Sequence, residues 1–151
     1  VRQVVLGLPA VATMRAMPRA TYSDPELAQV GLTEAEARDF YGAAVTVVKA
    51  EFAHNDRAIT QAKGKGLLKV MVVKGRPVGA SIVGPQAGEL IALWALAISA
   101  KLKMSAIAAM VAPYPTLGEV SKRAAGAYFS PKLFDNAALK RLVRFVQRFV
   151  P

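Results

Sequence analysis

An α+β domain, an antiparallel sheet with helices gathered against it, is what this sequence predicts. Runs suited to strands come first and helical runs last. The connections between the strands are of hairpin length, and there is no regular strand–helix–strand alternation that would build a parallel sheet. The chain has 151 residues, 54% of them hydrophobic, enough to bury most of its unfolded surface around one core.

The elements follow in order. Residues 1–19 carry Pro9 and Pro18, poor residues for a strand or helix interior, and read as an extended lead-in from an upstream domain. Ala20–Ser23 and Leu27–Leu32 are β-prone runs parted by the turn-forming Asp24-Pro25, giving two strands or one interrupted strand. Thr33 and Glu36 have capping-box spacing ahead of a short helix that Gly42 ends. Ala43–Phe52, with Val45, Thr46, Val47 and Val48, reads as a strand. Leu67–Val73 and Pro77–Val83 form a hairpin around Lys74-Gly75-Arg76. Gln86–Ala100 is a helix apolar nearly all round, with Leu90, Ile91, Trp94, Leu96, Ala97 and Ile98. Such a helix packs on more than one side, deep in a domain or between subunits. Ser105–Met110 is a further short helix, and Pro115-Thr116 opens another that runs to about Tyr128. Ser130-Pro131 is expected to break the chain.

Several function classes are set aside by composition. The chain has no cysteine, so it holds no disulfide, thiolate metal site or cysteine nucleophile of its own, and no metal site is expected. There is no initiator Met and no secretory signal at the start. No apolar run reaches the roughly 18–20 residues of a membrane span, and a soluble, cytoplasmic protein is expected. Net charge is +10, which attracts anionic partners. Without a zinc finger or an RNA-binding aromatic signature, a solvated basic surface is preferred to nucleic-acid binding. No glycine-rich dinucleotide motif or phosphate loop is present, and Gly64-Lys65-Gly66 is only a loop. The single histidine, His54, lies in a polar turn and reads as an exposed residue rather than a base or ligand.

Six stretches together carry a family resemblance. Asp24-Pro25-Glu26-Leu27-Ala28-Gln29-Val30-Gly31-Leu32-Thr33-Glu34, Arg57-Ala58, Gly66–Val70, Val78–Gly84, Ala87–Ile91 and Ala97-Ile98 follow one another as in the C-terminal dimerisation domain of the pyridine nucleotide-disulfide oxidoreductases. That family includes dihydrolipoamide dehydrogenase, glutathione reductase and mercuric reductase. The resemblance spans roughly residues 20–125. It implies a five-stranded antiparallel sheet flanked by helices, a twofold homodimer in which a second copy covers the apolar helix centred on Trp94, and a role in cell redox homeostasis for a flavoprotein using FAD and NAD(P)H. Both cofactors would be held by upstream domains of the same chain and none by this segment, which alone would be inactive.

The resemblance also implies a site. In the family a His-Pro-Thr-x-x-Glu pattern places a histidine, held by the glutamate, against the redox dithiol and flavin of the other subunit. Here Tyr114 stands at the histidine position, while Pro115, Thr116 and Glu119 match. Tyr114 and Glu119 are therefore the implied catalytic pair acting in trans, with Tyr114, Pro115 and Thr116 beside the partner's flavin. A phenol with an ordinary pKa near 10 cannot inherit an imidazole's general-base role. It can donate a hydrogen bond to a thiolate, substrate or flavin edge, and the departure points towards mercuric reductase-like branches. Thr116-x-x-Glu119 has capping-box spacing too, so Glu119 has a second reading as a helix cap.

The chain thus divides into a lead-in (1–19), a dimerisation domain (20–128) and a basic amphipathic helix (129–151). In the last, Asn136 can cap. Leu139, Leu142, Val143, Val146, Phe149 and Val150 oppose Lys140, Arg141, Arg144 and Arg148. Packing of its apolar stripe on its own domain, on the flavin domain or on a second copy is preferred to contact with an anionic membrane. The alternative to the whole reading is a non-redox adaptor that uses the same fold and a basic surface to hold an acidic partner.

Overall fold

A computed structural model describes Val5, Gly7 and residues 16–134 and 137–149, without the side chains of 132–134, 137–139, 142, 148 and 149. Its sheet is built from β1 (Arg19–Thr21), β2 (Glu26–Gly31), β3 (Val45–Glu51), β4 (Leu67–Val73) and β5 (Arg76–Gly84). The spatial order is β1-β2-β5-β4-β3, antiparallel throughout. The Asp24-Pro25 turn separates two true strands, pairing Thr21 with Leu27.

Between β2 and β3 lies helix α1 (Glu34–Tyr41), closed by Gly42. The predicted capping box is complete. The Glu36 amide donates to Thr33 Oγ1 at 3.3 Å, and the Thr33 amide donates to Glu36 Oε2 at 2.8 Å. A short helix α2 (Asp56–Thr60) follows β3, and β5 leads through Gly84 into α3 (Ala87–Ser99) and α4 (Met104–Ala109).

Alternating side chains send Ala28, Val30, Leu68, Val70, Ala80 and Ile82 to one face of the sheet. There they meet α3 and the long helix α5 (Glu119–Phe134). The register between β4 and β5 shifts between Met71 and Val72. Met71 pairs with Gly79 and Val72 with Pro77, so the extra residue of the bulge is Val78 on β5. Alternation along β4 keeps Val72 in the main core with Leu68 and Val70 and packs Met71 and Val73 with Ala37 of α1 on the opposite face.

Four expectations need correction. Trp94 does not wait for a second copy. It is 0% exposed within one chain, with its indole Nε1 donating to Ser121 Oγ at 3.1 Å. Trp94 sits on the side of α3 that buries Ile91 and Ala97, and a buried indole must satisfy its N–H there. The apolar excess of α3 lies on its outer flank, where Leu96 is 62% exposed and Leu90 and Leu93 are half-buried. Second, α5 opens at Glu119 rather than at Pro115-Thr116, because the Thr116 hydroxyl donates to Pro113 O instead of capping the first turn. Third, Ser130-Pro131 does not end α5. The helix passes through Pro131 to Phe134. Proline removes one amide donor from a helix interior, and the Ser130 hydroxyl donates to the Gly126 carbonyl at 3.2 Å beside it. Fourth, the segment 129–151 is not one helix: its first residues belong to α5, and a final helix, α6 (Ala137–Phe149), takes up the later part, whereas Asn136 lies outside the described residues.

Candidate functional site at the Tyr114 loop

The loop from Met110 to Gly118 crosses the end of the sheet where β3 turns into α2, and two consecutive residues there take hold of it. Beyond β3 the chain makes one tight turn, Phe52–His54, that buries Phe52 and leaves Asn55 as the N-cap of α2. Asn55 is only 2% exposed. Its Oδ1 accepts from the Ala58 amide at 3.0 Å, and its Nδ2 donates to the Thr116 carbonyl at 3.0 Å. One side chain therefore caps a helix and pins the loop, satisfying buried polar groups on both sides.

Asp56 points the other way, to the surface. Tyr114 is 71% exposed, and its hydroxyl donates to Asp56 Oδ2 at 2.9 Å. That hydrogen bond, and then the negative charge of the same carboxylate, raise the Tyr114 pKa above 10, because ionising the phenol would lose the bond and add a second anion. Glu119 does not hold Tyr114. Its Oε2 accepts from the Thr116 amide at 3.2 Å, the reach-back half of a capping box. The peptide between Tyr114 and Pro115 is cis.

A cleft of about 360 Å³ runs beside the loop, lined by Arg57, Gln61, Gln86, Leu90, Pro115 and Thr116 among others. A second hollow, of about 550 Å³, adjoins it through Gln61 and Gln86 and carries Glu26, Lys63 and Lys65. The structure thus brings Tyr114, Pro115, Thr116 and Glu119 together on one loop and adds Asn55 and Asp56, which the sequence reading passed over. The signal was there in Asn55-Asp56-Arg57, a polar run straight after a strand and next to the Arg57-Ala58 match. His54, by contrast, faces solvent 4.0 Å from Glu51 Oε2 and stays off the loop.

With this geometry described, comparison with known proteins decides the family. The family model for the pyridine nucleotide-disulphide oxidoreductase dimerisation domain matches residues 17–125. This chain belongs to that family. It is 39% identical over 125 residues to dihydrolipoyl dehydrogenase of Geobacillus stearothermophilus, covering 82% of this chain and 26% of that protein. With the Thermus scotoductus enzyme of the same name, identity is 42% over 113 residues, or 74% and 24% of the two chains.

Solved structures agree. LpdA of Mycobacterium tuberculosis matches with a TM-score of 0.75 at 25% identity over 82% of this chain and 28% of that one. The HOCl-induced flavoprotein disulfide reductase RclA of Escherichia coli matches with 0.75 at 27% over 83% and 29%. The chain spans about a quarter of the length of the curated relatives it matches. The relatives are oxidoreductases, and none of those named supports the adaptor reading.

Proposed function

We propose that this chain forms the subunit interface of a homodimeric, cytoplasmic oxidoreductase that uses FAD and NAD(P)H, and that it presents Tyr114, Pro115 and Thr116 to the flavin site of the partner subunit. The division into a lead-in, the dimerisation domain and a basic C-terminal helix belongs to the same proposal. One observation carries it. Tyr114 is bare to solvent, yet its loop is pinned by a buried asparagine and its hydroxyl is fixed by Asp56. Holding an exposed aromatic still has an evident use when a second surface completes the site.

The chain offers a flavin an edge rather than a cradle, since it has no dinucleotide-binding glycine motif. These residues fit a cofactor presented from outside. A bound flavin supplies the transfer of reducing equivalents from the nicotinamide. This chain's part is positioning. The phenol is protonated at neutral pH as any tyrosine is, and its one proton is committed to Asp56. The donor role expected of Tyr114 is thus already used, and its lone pairs are left to accept a hydrogen bond from an approaching thiol or N–H. Glu119 supports the loop through the Thr116 amide.

An absorption spectrum of the full-length protein tests the parent class. A flavin band bleached by NADH or NADPH is expected, and a colourless protein without FAD affinity refutes the reading. In the same enzyme Tyr114→Phe removes the hydroxyl, and turnover equal to wild type would take Tyr114 out of the mechanism.

A further inference from the structure

Helix α6 lies wholly beyond residue 125, where the family match ends. It is an addition to the shared fold, and its main contact is with the preceding helix α5. Its sequence has four basic residues, Lys140, Arg141, Arg144 and Arg148, and no acidic one. At 100° per residue, Val143 and Val146 lie about 100–160° from Arg141, Arg144 and Arg148, with Lys140 at the border between the two sides and Phe145 on the basic side.

Of the surfaces preferred from sequence for this stripe, its own domain does not cover the side chains described in it: Val143 is 45% exposed and Val146 48%. Lys140, Arg141 and Arg144 are exposed as well, and no ion pair among the described residues engages them.

We propose that α6 lies in the plane of an anionic bilayer surface, with Val143 and Val146 set among the acyl chains and Lys140, Arg141 and Arg144 reaching headgroup phosphates. Charge selects this occupant. A nucleic acid would engage the basic side and leave the valines in water. An anionic membrane takes both sides at once, with the basic stems folding outward around the inserted valines. Thirteen residues make a helix of about 20 Å, short of the roughly 30 Å needed to cross the hydrocarbon, so α6 lies flat.

The test is flotation of the full-length protein with vesicles of equal parts phosphatidylcholine and phosphatidylglycerol, and with phosphatidylcholine alone. Binding to the first and not the second is expected. Each basic residue near an anionic surface contributes on the order of five-fold in partitioning. Lys140→Glu with Arg144→Glu is therefore expected to weaken binding at least about 25-fold. Val143→Asp with Val146→Asp should abolish it while mass by light scattering and Trp94 fluorescence stay unchanged. No flotation of wild type, equal binding to neutral vesicles, or binding that survives either double substitution overturns the proposal. A fall in mass on substituting the valines also overturns it, because the covering surface is then a second copy.

Discussion

Asn55→Ala measures how strongly the Tyr114 loop is tied to the core. The substitution removes the N-cap of α2, leaving the Ala58 amide without its acceptor, and takes from the Thr116 carbonyl one of its two donors, the Glu119 amide remaining at 3.4 Å. Loss of a cap costs about 1 kcal/mol. The lost hydrogen bond to Thr116 adds about 0.5–1.5 kcal/mol, so the expected loss is about 1.5–2.5 kcal/mol, a large share of a domain's usual 5–15. With a urea m-value of about 2 kcal/mol/M, the unfolding midpoint falls by about 0.8–1.2 M. The single tryptophan, Trp94, is fully buried and reports unfolding by fluorescence. Asn55→Asp separates the two ends. It keeps an acceptor for Ala58 but sets a carboxylate against the Thr116 carbonyl, and is expected to lose stability as well. A midpoint within about 0.3 M of wild type for Asn55→Ala, or an Asn55→Asp variant as stable as wild type, would refute the reasoning.

Three further outcomes are expected. A Cβ at Gly79 would stand 1.8 Å from the Leu32 carbonyl oxygen, whereas at Gly126 it meets nothing within 4 Å. Urea unfolding should therefore show Gly79→Ala destabilised by about 3 kcal/mol and Gly126→Ala stabilised by about 0.5–1 kcal/mol. Asp56→Ala removes both the hydrogen bond and the charge that raise the Tyr114 pKa, so phenolate absorbance should appear at lower pH than in wild type. The raised folded-state pKa means that this pair's contribution to stability is complete below the unfolded phenol pKa of about 10 and is lost as pH rises further. The reverse sign holds for α1. Bonds from Arg38 to Glu34 and from the Thr33 amide to Glu36 hold both carboxyl pKa values below 4.5, so the stability they add is present above that pH and is lost as acid protonates them. NMR titration should show both groups ionising early, and Thr33→Ala should move Glu36 back towards its ordinary value.

What was legible in the sequence was local, or repeated at several places in order. The Thr33–Glu36 capping box lies within one helical turn, so its spacing alone was enough. The β4–β5 hairpin follows from two strand runs on either side of the Lys74-Gly75-Arg76 turn, and its strands lie within a residue of the predicted bounds. The misreadings needed tertiary information. That α3 was too apolar for a surface helix was plain, but which side faced the core depended on Ser121, 27 residues away. The Asp56–Tyr114 and Asn55–Thr116 bonds join residues 58 and 61 positions apart, and no spacing rule reaches that far. At Pro131 the proline rule was sound as a tendency, yet α5 continues across it.

Neighbouring residues Asn55 and Asp56 grip the loop by different handles, one by backbone and one by side chain. Because the Asn55 clasp falls on a main-chain carbonyl at Thr116, the loop's path does not depend on which ring sits at position 114. The chemistry offered to a partner can then be exchanged at that one residue while the scaffold under it keeps its shape, as when one tool replaces another in the same vice.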